Sequence, residues 1–425
     1  MHMQSIISRN QFIFGIIACA MGGLFYCYEF ILRIIPGALQ GELSQAFGYV
    51  SASVFGQIAA LYYFAYTPMQ LPVGMLMDRF GPRKLLSFAC LSCMLGSYLF
   101  GFSSSLAGIG FGRFLVGFGS SFAFVGVLSL AVHWLPARYF SLVTGLVTTL
   151  GMLGVMYGEV KVTSLAATIG LHHVLWMTVI AGLLLMIFIF LIVRDGPGGV
   201  DIKKQHFLQF LKEVWRVLIS PQVWGIGLVG ACLYNSLSVF GELWGKTYLE
   251  QAHHLSKMEA AQCISLMFLG WAFGAPLSGY WSDKTARRVF PLVVGSVISL
   301  IAISIVLYVP NLSFTALCIL MFIYGVASGT EIIVFIMAKE NSGALVSGTV
   351  FAVTNMIVSL GGVIFQPLVG WLLDRGQHHL IHGEYVYAVH DYQIALSVLP
   401  ISLCLVIFGG FFLQDKRRQA LKKPQ

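Results

Sequence analysis

Charge is scarce in this sequence. Asp, Glu, Lys and Arg make up 10% of its 425 residues, against roughly 25% in an ordinary soluble domain. That is too little to cover the surface of the two or three soluble domains such a length would otherwise hold. Cysteine is also sparse. The eight present (Cys19, Cys27, Cys90, Cys93, Cys232, Cys263, Cys318 and Cys404) all fall in apolar stretches. None has zinc-finger spacing, so they read as small packing residues. No Walker phosphate loop, nucleophile elbow or metal-ligand motif occurs, which weighs against ATP-driven work, enzymatic chemistry, a bound cofactor and a resident metal. Histidine avoids the middle of every apolar stretch; eight of the eleven, including His172, His173, His253 and His254, read as loop residues without a fixed partner.

Apolar sequence is abundant instead. Hydrophobic residues reach 58%, mean hydropathy is +0.84, and runs of about 20 residues, long enough to cross a bilayer, recur from end to end. They predict twelve spans, near 12–36, 53–77, 84–104, 106–130, 139–165, 172–193, 222–248, 258–281, 289–309, 312–336, 344–370 and 391–414. Spans that satisfy their own backbone in lipid are helices. The 46 glycines and 33 phenylalanines suit close helix packing there. The chain therefore reads as an all-α membrane protein of twelve transmembrane helices. Its first run continues to Pro36, too long for a cleaved signal peptide.

The few charges are placed unevenly. With the N-terminus inside, 19 of the 25 Lys and Arg fall in inner segments, among them Arg79, Arg83, Lys84, Arg138, Lys203, Lys204, Arg287 and Arg288. The positive-inside rule then sets both termini in the cytoplasm. The net charge of +8 follows from this asymmetry and gives no argument for nucleic acid.

One of those segments has an echo. "GMLMDRFGPRKLL" (74–86) concentrates Asp78, Arg79, Arg83 and Lys84 in a turn with Gly81 and Pro82. Two hundred and five residues later "GYWSDKTARR" (279–288) repeats Gly74, Asp78 and Arg79 as Gly279, Asp283 and Lys284, with Arg287 and Arg288 behind them. A second echo pairs Glu29 and Arg33 with Glu242 and Lys246, each an acid four residues before a base. Two matched positions argue a duplicated architecture: a six-helix bundle over 1–194, a linker over 195–220, a second bundle over 221–415, and a basic tail over 416–425. In the linker, Phe207, Phe210, Leu211, Val214, Trp215 and Leu218 form one stripe of a helix suited to lie on the inner membrane surface.

The charged turn with its weaker copy, together with Arg113 followed by Gly117 and Gly119 in span four, resembles the major facilitator superfamily. "YYFAYTPMQLPVGMLMDRFGPR" (62–83) and "GGVIFQPLVGWLLDR" (361–375) look like its bacterial solute permeases. The resemblance implies two pseudo-symmetric bundles around a central cavity, rocking between outward-open and inward-open states in a bacterial inner membrane. It gives Gly74, Asp78, Arg79, Gly81, Arg83 and Asp283 a gating role. Asp78 is expected beside the N-terminus of span eleven only while the inner side is closed, a contact worth about 0.3–2 kcal/mol. Gly81 and Pro82 set the turn, while Arg83 and Lys84 meet lipid phosphate.

Charges inside spans are costly and mark function. Glu29, Arg33, Arg113, Glu159, Lys161 and Glu242 fall at mid-membrane or toward its outer half, and Glu331 stands apart in the inner third. Arg113 or Arg33 is expected to bind an anionic group bidentately, and Glu242, with only Lys246 near it, to carry a coupling proton. The alternative is a static ion-pair network. Tyr62, Tyr66, Gln70, Asn235, Asn355 and Gln366 complete the candidate wall. Span five, "GLVTTLGMLGVMYGEVKV", lacks the Gly-Pro pair typical of the superfamily's drug antiporters. This favours proton-coupled uptake of a small organic anion or zwitterion, by a monomer, over efflux or a non-transporting sensor.

Overall fold

The structure is a computed structural model and describes residues 9–136, 139–195, 207–342, 347–376, 378–381, 384–410 and 413. Arg138, Lys203, Lys204 and the basic tail beyond 413 lie outside the described residues.

Among the described residues, eleven helices are long and apolar enough to cross a membrane. They are α1 (Asn10–Ala38), α3 (Pro82–Phe102), α4 (Leu106–Trp134), α5 (Leu142–Ile169), α6 (Leu171–Ile192), α7 (Pro221–Ala252), α8 (Lys257–Thr285), α9 (Val289–Tyr308), α10 (Phe314–Asn341), α11 (Gly348–Arg375) and α12 (Val389–Gly410). The twelfth span, α2, is Ala52–Met69 continued by Val73–Phe80. Pro68 and Pro72 interrupt its backbone ladder, and Gln57, Tyr62, Tyr63 and Tyr66 dilute its apolar content. The expected unbroken 53–77 helix is thus two pieces with a turn between them. Among the described residues the architecture is all-helical apart from a hairpin, β1 (His378–Ile381) and β2 (Glu384–Tyr387), in the connection after α11.

Six helices from each half form a bundle, and the halves meet along matched pairs. α2 runs along α11, α5 along α8, and α1 against the middle of α7. That middle, Ser236–Trp244, is π-helical, a local widening frequent at functional sites. Another break, the 3₁₀ turn Gly329–Glu331, interrupts α10. The outside of the bundle stays apolar: Leu191, Leu405 and Phe408 are each at least 60% exposed, which in water would be an aggregation surface and in lipid is the solvent-matched face.

Phe207–Leu218 is helical. Val214 and Val217 seat it on the protein, whereas Trp215 is exposed. The predicted single stripe is therefore split between a protein-facing and an outward-facing edge.

Candidate functional site

A cavity of about 500 Å³ lies between the two halves, and its wall reaches Gly74, Met75 and Asp78 on one side and Gly348, Thr349 and Phe351 on the other. It thus opens at the end of the bundle that bears the charged turn, the basic end. At the opposite end it is sealed.

The seal is built around Arg33. Its guanidinium lies 3.3 Å from the Glu29 carboxylate one helical turn back and 3.9 Å from Glu242 of α7. It also donates to the Tyr234 hydroxyl at 3.1 Å. Tyr63 donates to Glu242 at 2.5 Å and shares a 3.0 Å hydrogen bond with Tyr234, while Tyr62 donates to Glu29 at 3.1 Å. Phe30, Tyr62 and Tyr66 stack around the guanidinium with ring centres 4.4–5.2 Å away. Arg33 therefore joins a carboxylate of its own half to one of the other half in a site shielded from water, where electrostatic contacts are strong.

Further out, more contacts cross the same seam. Lys246 donates to the Ala38 carbonyl and, at 2.9 Å, to Thr163. Thr247 donates to Gln40 at 2.6 Å, and Lys257 pairs with Glu42 at 2.6 Å. Asp374, at the last turn of α11, accepts from the backbone N–H groups of Ala52 (3.2 Å) and Ser53 (2.9 Å) at the start of α2, and from the Tyr387 hydroxyl (2.5 Å). Gly370 makes this approach possible, because any side chain there meets the Ala52 carbonyl.

Of the residues expected at the site, Arg33, Tyr66, Gln70, Glu242 and Asn355 are on the cavity wall, and Asn355 donates to Gln70 across the halves at 2.9 Å. Glu29 and Tyr62 lie one layer behind Arg33. Five placements differ from expectation. Gln366 is buried off the wall and donates to the Ser238 carbonyl at 2.6 Å. Arg113 is buried off the wall, and its terminal nitrogens donate to the Leu32 and Arg33 carbonyls at 2.8 and 2.9 Å; it braces α1 and does not reach the cavity. Glu159 is buried in α5, away from the wall, in the field of Lys246 and Glu250. Asn235 packs against Ser402 of α12. Lys246, the one base expected near Glu242, is instead turned into the seal, 4% exposed and bonded to Ala38 and Thr163. Glu242 consequently has Arg33 and Tyr63 as partners, not Lys246 alone.

The charged turn is also more specific than a topology signal. Gly81 adopts φ +81°, and the Asp195 carboxylate occupies the space a side chain would need while accepting from the Arg83 backbone at 3.1 Å. The Arg83 side chain donates to the Phe190 carbonyl at 3.0 Å, so it is tied to the end of α6 rather than directed to lipid phosphate. Asp78 and Arg79 are exposed at the cavity mouth. In the second copy Asp283 pairs with Arg288 at 2.8 Å, and Arg288 with Glu340 of α10 at 2.6 Å; that turn is latched within its own half.

Sequence reading passed over Tyr63, Tyr234, Trp271 and Asp374, and set Glu331 aside. Aromatic residues in a membrane helix carry no mark that separates wall from packing. Asp374 did have a signal: Gln366, Val369, Gly370, Asp374 and Arg375 repeat Gln70, Val73, Gly74, Asp78 and Arg79 at identical spacing.

Comparison with known proteins agrees with this fold. The chain is 23% identical to the lysosomal dipeptide transporter MFSD1 of Mus musculus, over 95% of this chain and 89% of that protein. It is 22% identical to a D-galactonate transporter of Escherichia coli, over 81% of this chain and 86% of the relative. A bacterial homolog of the human lysosomal transporter Spinster, solved in an inward-facing, unoccupied conformation, superposes with a TM-score of 0.75 at 18% identity, covering 97% of this chain and 99% of that one. These relatives are transporters, not enzymes. A family profile described as Major Facilitator Superfamily matches residues 12–366, and the chain belongs to that superfamily of multi-pass membrane transporters.

Proposed function

We propose that this transporter takes up a small organic anion or zwitterion together with a proton, and that its basic end faces the cytoplasm of a bacterial cell. One observation carries the reading: a single desolvated guanidinium on the cavity wall, Arg33, is shared by a carboxylate from each half, Glu29 and Glu242. With the outer side open, a proton on Glu242 removes the cross-half attraction and leaves Arg33 for a substrate carboxylate, which its fork binds through both oxygens. With the inner side open, loss of that proton restores the Arg33–Glu242 pair and expels the anion. The coupling thus lies in competition for one cation, and the restored pair holds the outer side shut while substrate leaves. Names of relatives that include a dipeptide and a D-galactonate transporter support a carboxylate-bearing substrate. The uneven placement of Lys and Arg supports the orientation.

Asp78, with Gly74 and Arg79, serves in this scheme as the inner gate, meeting the start of α11 when that side shuts. Uptake into right-side-out and inverted vesicles, with and without an imposed pH gradient, tests the proposal. Accumulation in right-side-out vesicles that collapses with the gradient is the expected result. Accumulation confined to inverted vesicles shows efflux, and none in either shows a protein that does not transport.

A further inference from the structure

The cavity wall has an unbalanced charge. Among the described residues its charged side chains are Arg33, Asp78, Glu242 and Glu331, one cation against three carboxylates. Glu242 is held by Arg33 and Tyr63, and Asp78 sits at the wet mouth. Glu331 has neither arrangement. It is 4% exposed, its Oε2 has no hydrogen-bond partner, and among the described residues no Lys or Arg lies within ion-pair distance of it. It is placed by the 3₁₀ turn Gly329–Glu331, where α10 breaks its regular ladder. Trp271 and Phe268 line the same half of the cavity, and aromatic faces favour cations. Trp271 lies beside this carboxylate, whose Oε2 is unpartnered; the buried group has no cation, which is costly and calls for a ligand that supplies one.

We infer that Glu331 is the binding site for a protonated amine of the substrate, so that the substrate is a zwitterion whose carboxylate goes to Arg33 and whose ammonium goes to Glu331. This rests on the carboxylate reading of Arg33 given above and narrows it. A dianion would set both its charges against two carboxylates and one guanidinium. A molecule with opposite charges at its two ends satisfies Arg33 of the first half and Glu331 of the second, and so draws the halves together. Charge-assisted contacts of this kind are the strong ones in a dry site.

The test uses the purified full chain and three probes: L-alanyl-L-alanine, its N-acetyl derivative, which lacks the ammonium, and L-alanyl-L-alaninamide, which lacks the carboxylate. Apparent affinities come from the ligand-dependent rise in Tm. The free dipeptide is expected to bind at least tenfold more tightly than the N-acetyl form. In Glu331→Gln, which keeps the side-chain volume, that preference falls to less than threefold. Glu331→Asp retains a preference, and so separates loss of charge from loss of fold. Arg33→Gln abolishes the advantage of dipeptide over amide. If it leaves that advantage intact, the carboxylate reading fails by itself, and the comparison of free and acetylated amine still decides the role of Glu331. Wild-type protein that binds the acetylated probe as tightly as the free one, that binds none of the three, or a Glu331→Gln variant that keeps the tenfold preference, overturns the assignment.

Discussion

Replacing Asp374 with Asn removes one charge from the outer seal and nothing from the cavity. The carboxylate now accepts two backbone N–H groups of α2 and one tyrosine hydroxyl. An Asn keeps one acceptor oxygen and turns an NH₂ toward donors. Hydrogen bonds to a charged group contribute about 1.5–3 kcal/mol each, and a carboxylate at a helix N-terminus about 0.3–2 kcal/mol. Allowing for the contact that Asn retains, the loss is on the order of 2 kcal/mol, or about a 30-fold change in equilibrium at 1.36 kcal/mol per tenfold. Tyr387 is on Asp374's own half, so this loss is assigned to the Ala52 and Ser53 contacts alone, which exist only in the state in which this end is shut. The population ratio of outer-open to outer-closed protein should therefore rise about 30-fold. Spin labels at Gln45 and Arg375, exposed positions on opposite sides of the seam, measure that ratio as two distance populations. An unchanged distribution in a variant that still folds would refute the idea that this cap holds the seam, and leave Asp374 a local brace for the hairpin.

Other consequences are simpler to state. Glu242→Gln should abolish gradient-driven accumulation yet leave exchange of bound substrate measurable; full accumulation would remove Glu242 from the coupling step. Arg113→Lys should lower Tm and leave substrate affinity within about twofold, because the guanidinium is spent on the Leu32 and Arg33 carbonyls; a tenfold loss of affinity with unchanged Tm would return Arg113 to the binding site. Asp78→Asn should lose most transport while Asp283→Asn keeps most of it, since Asp283 is latched within one half; equal rates for the two would end the gating role of the first turn. At the rim, partial burial of Glu42 raises its pKa, but the Lys257 contacts outweigh this and hold it below the usual carboxylate value. A depressed value means the pair's contribution, about 0.2–1 kcal/mol, is complete above the ordinary pKa near 4.3 and lost as pH falls through the lowered one. Glu42→Gln should accordingly lower Tm slightly at pH 7 and not at pH 3; an equal effect at both would show that the charge is irrelevant.

The fold was legible because the solvent dictates it. Apolar runs of span length, and Lys and Arg gathered on one side, are imposed by lipid whatever the substrate, so the helix count and the duplicated turn could be read directly. Where α2 breaks was less plain, since Pro68 and Pro72 mark a turn only once the tyrosines around them are known to face the interior. The site was legible by residue type but not by direction. A membrane arginine announces a polar partner, yet Arg33 and Arg113 differ only in what they meet: carboxylates from two halves for one, backbone carbonyls of a neighbouring helix for the other. Likewise Glu331 stood out as a charge in a span but was placed apart from Glu242 by counting depth along the chain. Residues distant along one helix share a wall once α7 and α10 face the same cavity.

The mirrored spacing of Gln70 to Arg79 and Gln366 to Arg375 acquires a mechanical meaning from the way α2 and α11 pack. The two helices run antiparallel, so the C-terminal Asp of each lies at the end where the other begins. At the outer end Asp374 caps Ala52 and Ser53. At the inner end Asp78 and Gly348 face each other across an open mouth. On the inner-gate role proposed for Asp78, one pair of helices carries the same device twice, in opposite directions, and a rigid rocking of the halves that closes one parts the other. The two substitutions should then act with opposite sign on one equilibrium: Asp374→Asn favours the outward-open state and Asp78→Asn the inward-open state. At distant sites with no shared partner such effects add, so the double variant should return the spin-label distribution toward that of the wild type while its transport stays slow, both gates having lost their hold. A double variant as far shifted as Asp374→Asn alone would mean that the two ends are not parts of one lever.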